Sequence, residues 1–196
     1  MVIELIRLCG VYEIAGILVP EPVAGTKVSG VEVVGSDEKL PGLYAGGVVC
    51  AAICVGGIGD TSVRRDLYER VRAAGLNLPP LVHPKAVVSP DAVLSEGVQV
   101  MAGAVVQTGS RIGVNAVINT SAVVEHDSVI NDHAFVSPGA TVLGGCVVGR
   151  GAFIGAGAVV LQNVKIGDNC VVAAGAVVID NVAAGARVKG VPAGQY

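Results

Sequence analysis

The sequence predicts an α/β unit over residues 1–80 followed by an all-β parallel β-helix over 81–196. Three observations carry that reading: an aliphatic residue at every sixth position from Val82 to Val178, a small or modest residue four places after each, and a different helix-and-strand rhythm before residue 80. Hexapeptide periodicity marks a solenoid in which each rung buries its inner face on its neighbours.

In the first half, short apolar runs alternate with amphipathic stretches, the pattern of an α/β unit. Val2 to Cys9 reads as a helix stopped by Gly10, and Glu13 to Val19 as a strand. Gly47 to Ile58 is an unbroken apolar run, which predicts a strand covered on both faces. The clearest helix starts at Asp60 or Thr61, either of which can cap it, sets Val63, Leu67, Val71 and Ala74 on one side, and ends at Gly75. Leu76 to Pro84 forms a proline-bearing link to the second half.

From Val82 to Val178 there are seventeen consecutive aliphatic hits without an insertion, accompanied by a series of small or modest residues from Ala86 to Val182. Residues two apart in a strand share a face, so each small residue and the next aliphatic one point inward, and the residue between them points out. The remaining positions, often Gly, Asn, Asp or Pro, have the chemistry of tight corners. Three hexads per turn give a triangular prism of about six rungs spaced by ~4.8 Å. One face then shows Val87, Val105, Val123, Thr141, Val159 and Val177; a second shows Gln99, Val117, Phe135, Phe153 and Val171; the third contains Arg111 and Lys165. The first two are too apolar for water, which predicts association through both. A cyclic homotrimer is the natural closed arrangement for a three-sided rod, although strand propensity alone also favours outward Val.

Composition narrows the classes of function. At 52% apolar and 15% charged residues the chain is not disordered, and 3% aromatics point to a core of Val, Ile and Ala. A net charge of −3, with no long run among the 13 basic residues, excludes a nucleic-acid groove or a polybasic membrane patch. Five scattered cysteines, an odd number, suit a reducing cytosol rather than a disulfide framework. Cys50 and Cys54 lie in an apolar run with no second pair to complete a metal site, so they are expected to be buried thiols. The N-terminus lacks a secretory layout and no 18-residue apolar span occurs, so a cytoplasmic location is expected, without a membrane.

Histidine is scarce: His83, His126 and His133 are the full set. His126 falls at a predicted corner in Asn119-Thr120-Ser121-Ala122-Val123-Val124-Glu125-His126-Asp127, between two carboxylates. An imidazole can take a proton from an attacking amine or hydroxyl near neutrality, and a carboxylate can orient it and raise its basicity. From the residues alone, a solvent-exposed corner histidine is the favoured reading.

The corner resembles that of the bacterial hexapeptide-repeat acetyltransferases that modify amino-sugar nucleotides or sialic acids in surface-glycan synthesis. The resemblance spans nearly the whole chain, through Leu81-Val82-His83-Pro84, Asn119 to Asp127, Ser137-Pro138-Gly139-Ala140, Ile154-Gly155-Ala156-Gly157-Ala158 and Lys189-Gly190-Val191-Pro192-Ala193. It implies a left-handed β-helix and a homotrimer. It also implies direct acetyl transfer from acetyl-CoA to an amino sugar, with His126 as general base, Asp127 supporting it, and the coenzyme held near Ala156 and Ala174. Gly57-Ile58-Gly59-Asp60, with Arg64 four residues on, resembles the family's loop near the acceptor, so Gly59, Asp60, Arg64 and Asn119 are expected to touch the sugar. Asp60 as a helix cap is the competing reading.

The family pattern opens with a strand and a glycine-rich turn, whereas Met1 falls inside the pattern's first helix. The resemblance thus makes residues 1–80 a truncated acceptor-binding domain of incomplete Rossmann-like form. Phe135 stands where many relatives have a histidine near the thioester. Other readings are a sialic acid O-acetyltransferase, a zinc enzyme needing three convergent histidines, and a non-catalytic trimeric scaffold. No metal is expected. Thermal stabilisation by acetyl-CoA separates a scaffold from an enzyme.

Overall fold

The computed structural model describes residues 1–195. From Leu81 onward the chain coils into a three-sided parallel β-helix of two-residue strands joined by four-residue corners. Each strand pairs with the strand eighteen residues on: Val117 with Phe135, Val123 with Thr141, Val129 with Val147. The three sheets are the three faces expected from the sequence, and we call them the Phe face (with Phe135 and Phe153), the Val face (with Val123 and Val159) and the charged face (with Arg111 and Lys165). Each aliphatic hit from Val100 to Val178 is 2% exposed or less, so the inside of the prism is a stack of Val and Ile over Ala, Ser and Cys. Val82, Val88 and Leu94, in the first coil, are only half-buried because no coil lies beneath them.

The corners reverse direction because their third residue takes the left-handed conformation. Lys85, Asp91 and Asn181, at the two ends of the rod, are exceptions, and Gly fills that place at eight corners. Asn115, Ser121, Asp127, His133, Asn163 and Asn169 fill it elsewhere with φ between 54 and 60°; short polar side chains are the non-glycine residues that tolerate this region best. Polar side chains also satisfy corner carbonyls: Ser110 Oγ donates to Glu125 O at 3.0 Å, Ser128 Oγ to Leu143 O at 2.9 Å, and Cys146 Sγ to Leu161 O at 2.9 Å.

The first eighty residues are built differently. Helix α1 (Val2–Cys9) ends at Gly10, as its sequence predicts, with φ 70° at that glycine. Strand β1 (Ile17–Leu18) joins β2 (Lys27–Val28) and β3 (Val31–Gly35) in a small sheet of order β1-β3-β2. The strand expected over Glu13–Val19 thus shrinks to its last part. A short helix, α2 (Leu40–Ala45), follows, and α3 (Ser62–Ala73) is the long helix read from the sequence. Three further expectations are corrected. Gly47–Ile58 is no sheet strand covered on both faces: it forms a single bridge, Cys50 to Asn77, and leaves Val49 and Val55 exposed. Cys50 is half-buried and Cys54 exposed. Leu76 and Leu78 are 1% exposed, so the supposed link is core. A cavity of about 260 Å³ separates β1 from this extended segment, lined by apolar side chains that include Ile17, Leu18, Val34, Ala51 and Leu67.

The largest correction concerns the Phe face. It is not free for a second copy, because residues 1–80 of the same chain cover it. Gln99 Nε2 donates to Ile53 O at 2.9 Å, Gly56 lies against Phe135, and Gly59 lies over Val171. Phe135 and Phe153 stack beneath this cover with centroids 5.7 Å apart. The apolar residues there are hidden by their own chain, which leaves the Val face as the apolar face for any association.

Candidate active site

The three histidines stand on three different edges of the prism. His83 lies between the Phe and Val faces, where its Nδ1 accepts from Lys85 N–H at 3.0 Å. His133 lies between the charged and Phe faces, 8% exposed, 3.1 Å from Asn115 Nδ2 and edge-on to Tyr68. Burial pushes His133 below the usual imidazole range, against the opposing pull of Asp132 and Glu69. Among the described residues, no group of three His, Cys, Asp or Glu is arranged to hold a metal ion.

His126 stands on the remaining edge, between the Val and charged faces. The left-handed turn at Asp127 brings its carboxylate back beside the preceding ring, with Nδ1 and Oδ2 3.0 Å apart. In that arrangement Nδ1–H donates to the carboxylate and Nε2 is left to exchange protons. The two side chains are 59% and 73% exposed, so the pair adds little stability. Two glycines adjoin the pair. A Cβ at Gly144 would meet His126 Nε2 at 2.5 Å, and a Cβ at Gly109 would collide with Asp127 Oδ1.

Ala156 and Ala174 are exposed and stacked on the edge between the Phe and Val faces, where Gly175 N–H donates to Ala156 O at 2.9 Å. Asn119 lies on that edge too, its Oδ1 accepting from Thr120 N–H at 2.7 Å. Within one chain, then, His126 and the two alanines flank opposite sides of the Val face and do not converge. Gly59, with φ 71°, sits at the loop tip beside fully exposed Ile58, over the upper Phe face. Asp60 Oδ1 accepts from Ser62 N–H at 2.8 Å, and that bond holds its carboxyl below the usual range.

Arg64 does not lie in an open cleft as a sugar ligand would. It is 2% exposed, and its guanidinium donates to Asn115 O, Ile53 O and Val55 O at 3.2, 3.1 and 3.0 Å. Burial lowers its pKa to about 10, which still leaves it charged at neutrality. Asn115 Nδ2 returns a bond to Arg64 O at 3.3 Å. Arg64 is thus a strut between α3 and the β-helix. Tyr68, one turn on, donates to Glu96 Oε2 at 3.3 Å and extends the same seam. The sequence signal for this seam is the 64–68–71 spacing on α3, which counting apolar residues alone passes over.

A family model described as bacterial transferase hexapeptide (six repeats) matches residues 145–180. The chain is 39% identical to a histidine variant of perosamine N-acetyltransferase from Caulobacter crescentus, solved with CoA and GDP-perosamine, covering 100% of this chain and 90% of that one at a TM-score of 0.94. The chain belongs to the hexapeptide-repeat sugar acetyltransferases. The family's fold is a left-handed parallel β-helix, and this is the fold of the chain. A second hexapeptide-repeat acetyltransferase, the acetyltransferase domain of PglB from Neisseria gonorrhoeae FA1090 in complex with acetyl coenzyme A, is 34% identical over 98% of this chain and 91% of that one, with a TM-score of 0.89.

Proposed function

We propose that this protein transfers an acetyl group from acetyl-CoA to the amino group of a nucleotide-linked sugar, with His126 as the general base. The observation that carries the reading is the His126–Asp127 pair held at 3.0 Å on a corner beside the Val face. Similarity over the whole chain to GDP-perosamine N-acetyltransferase supports the donor and the acceptor class.

In the reaction the amine nitrogen attacks the thioester carbon and a tetrahedral intermediate forms. His126 Nε2 accepts the proton shed by nitrogen, the C–S bond breaks, and the imidazolium returns that proton to the departing thiolate. Asp127 steadies the imidazolium through Nδ1–H. No covalent bond to the protein forms. The two alanines that would flank the coenzyme lie across the Val face from His126, so the site needs the His126 edge of one protomer beside the alanine edge of another. We infer a trimer closed through the Val faces, with residues 1–80 on the outside and Gly59 and Asp60 directed to the acceptor. Five scattered cysteines support a cytosolic setting.

The test is release of free thiol from acetyl-CoA with GDP-perosamine and a panel of other amines and sugar hydroxyls, on protein whose mass is fixed by sedimentation. His126→Ala is expected to lower kcat by about 10²–10⁴-fold while the trimer and coenzyme binding persist. Near-normal turnover in that variant would remove His126 from the mechanism. A monomer in sedimentation would remove the shared site.

A further inference from the structure

We propose that Gly144 is a positioning residue: its missing side chain creates the space in which the His126 imidazole lies, and so sets the direction of Nε2. The proposal rests on the general-base reading of His126 and adds to it the device that holds the ring.

The argument begins with the corners. Each four-residue corner has a first position following the strand, a second at the tip, a third in the left-handed region and a fourth pointing inward. Glycines at first positions are required by the backbone: a Cβ at Gly113, Gly149 or Gly155 would collide with the backbone nitrogen of Asp132, Asp168 or Ala174 in the next coil. Third positions from Gly97 to Gly175 favour glycine or a polar residue because φ is positive there. Second positions carry neither constraint. From Pro84 to Asp180 they hold Pro, Glu, Ala, Thr, Val, His, Asp, Arg and Gln, and Gly144 is their single glycine.

Gly144 therefore answers no demand of the fold. Its φ is not positive, and the three nearest atoms that a Cβ would meet all belong to one group: Nε2, Cε1 and Cδ2 of His126, at 2.5, 2.7 and 3.1 Å. The imidazole rests on the open face of residue 144, which stands eighteen residues ahead in the coil above. Below it, Gly109 leaves the corresponding space for the Asp127 carboxylate. The pair is framed from both sides. Gly109 also carries φ 69°, so it is glycine for two reasons and makes a poor probe; Gly144 makes a clean one.

Gly144→Ala should fold and assemble as the natural chain does, because the corner tip accepts side chains in every other coil. Its methyl group must tilt the ring away. The expected result is a loss of roughly 10–100-fold in kcat, since displacement of a reacting group by about 1 Å can cost 10²-fold, with KM for acetyl-CoA little changed. Proton–nitrogen NMR of the imidazoles supplies a readout independent of turnover. With three histidines in the chain, His126→Ala assigns the signals, and Gly144→Ala is expected to shift those of His126 alone. In melting curves the alanine should cost less in the His126→Ala background, where no ring opposes it.

Unmoved His126 signals in Gly144→Ala would overturn the proposal, as would a defect confined to KM for acetyl-CoA, which would mean clearance for the donor instead. Failure of the parent reading looks different: His126→Ala stays active, while the NMR comparison still decides whether residue 144 holds the ring.

Discussion

The β-helix and the first eighty residues solve the same problem, burying apolar surface while satisfying the backbone, in opposite ways. In the β-helix each residue's environment is set by its place in the six, and its hydrogen bonds go to the coil eighteen residues away. The first half has no such rule. Its extended segment around Cys50 bridges only Asn77, a cavity of about 260 Å³ lies beside it, and its firmest ties run across to the β-helix through Arg64, Gln99 and Thr61. A repeat distributes stability evenly along the chain, whereas the α/β half rests on small local apolar clusters and a few specific polar contacts. The repeat carries the proposed base, and the less uniform half carries the loop proposed to face the acceptor.

Perturbing both halves sharpens that contrast. The largest effect is expected within the repeat: Ile130→Ala removes a fully buried side chain between coils and should cost about 2–5 kcal/mol in denaturant unfolding, with one cooperative transition. An intermediate effect is expected at the seam. Arg64→Ala deprives three backbone carbonyls of their donor, at a cost of about 1–3 kcal/mol. Hydrogen exchange should report it as early opening of residues 1–80 while the coils stay protected. Equal loss of protection in both halves would mean that the two unfold as one unit.

The smallest effect is a dependence on pH. Burial lowers the folded-state pKa of His133, so in the window below the unfolded value of about 6.5 the unfolded chain binds the extra proton. Stability is therefore full above that value and falls as pH drops through the folded pKa. Melting temperatures measured from pH 7.5 downward should show the decline, and His133→Asn, which keeps a residue suited to positive φ, should flatten it.

The repeat was legible because its period is a local property: every aliphatic hit from Val100 to Val178 is core, and the three faces follow by counting. The cover on the Phe face was not, because Val117, Phe135 and Val171 advertise an apolar surface without saying what hides it. Arg64 was legible as an unusual residue and misread in role, since a charge that donates to three carbonyls on two distant segments leaves no trace in spacing. His126 and Asp127 stand out in the sequence as neighbours. Gly144 passes unnoticed in a reading of the repeat and becomes readable as a gap only once all seventeen tips are aligned.

The eighteen-residue register has a consequence for how such a chain can change length. Loss of one residue before His126 within its coil would slide the next eighteen residues against the coil below, parting Asp127 from Gly109 and turning the inward residues of that coil outward. Gain or loss of a complete turn would leave each surviving neighbour in place. Variation in this half is thereby restricted to quanta of one coil, and sites at the corners can be carried up or down the rod without being rebuilt.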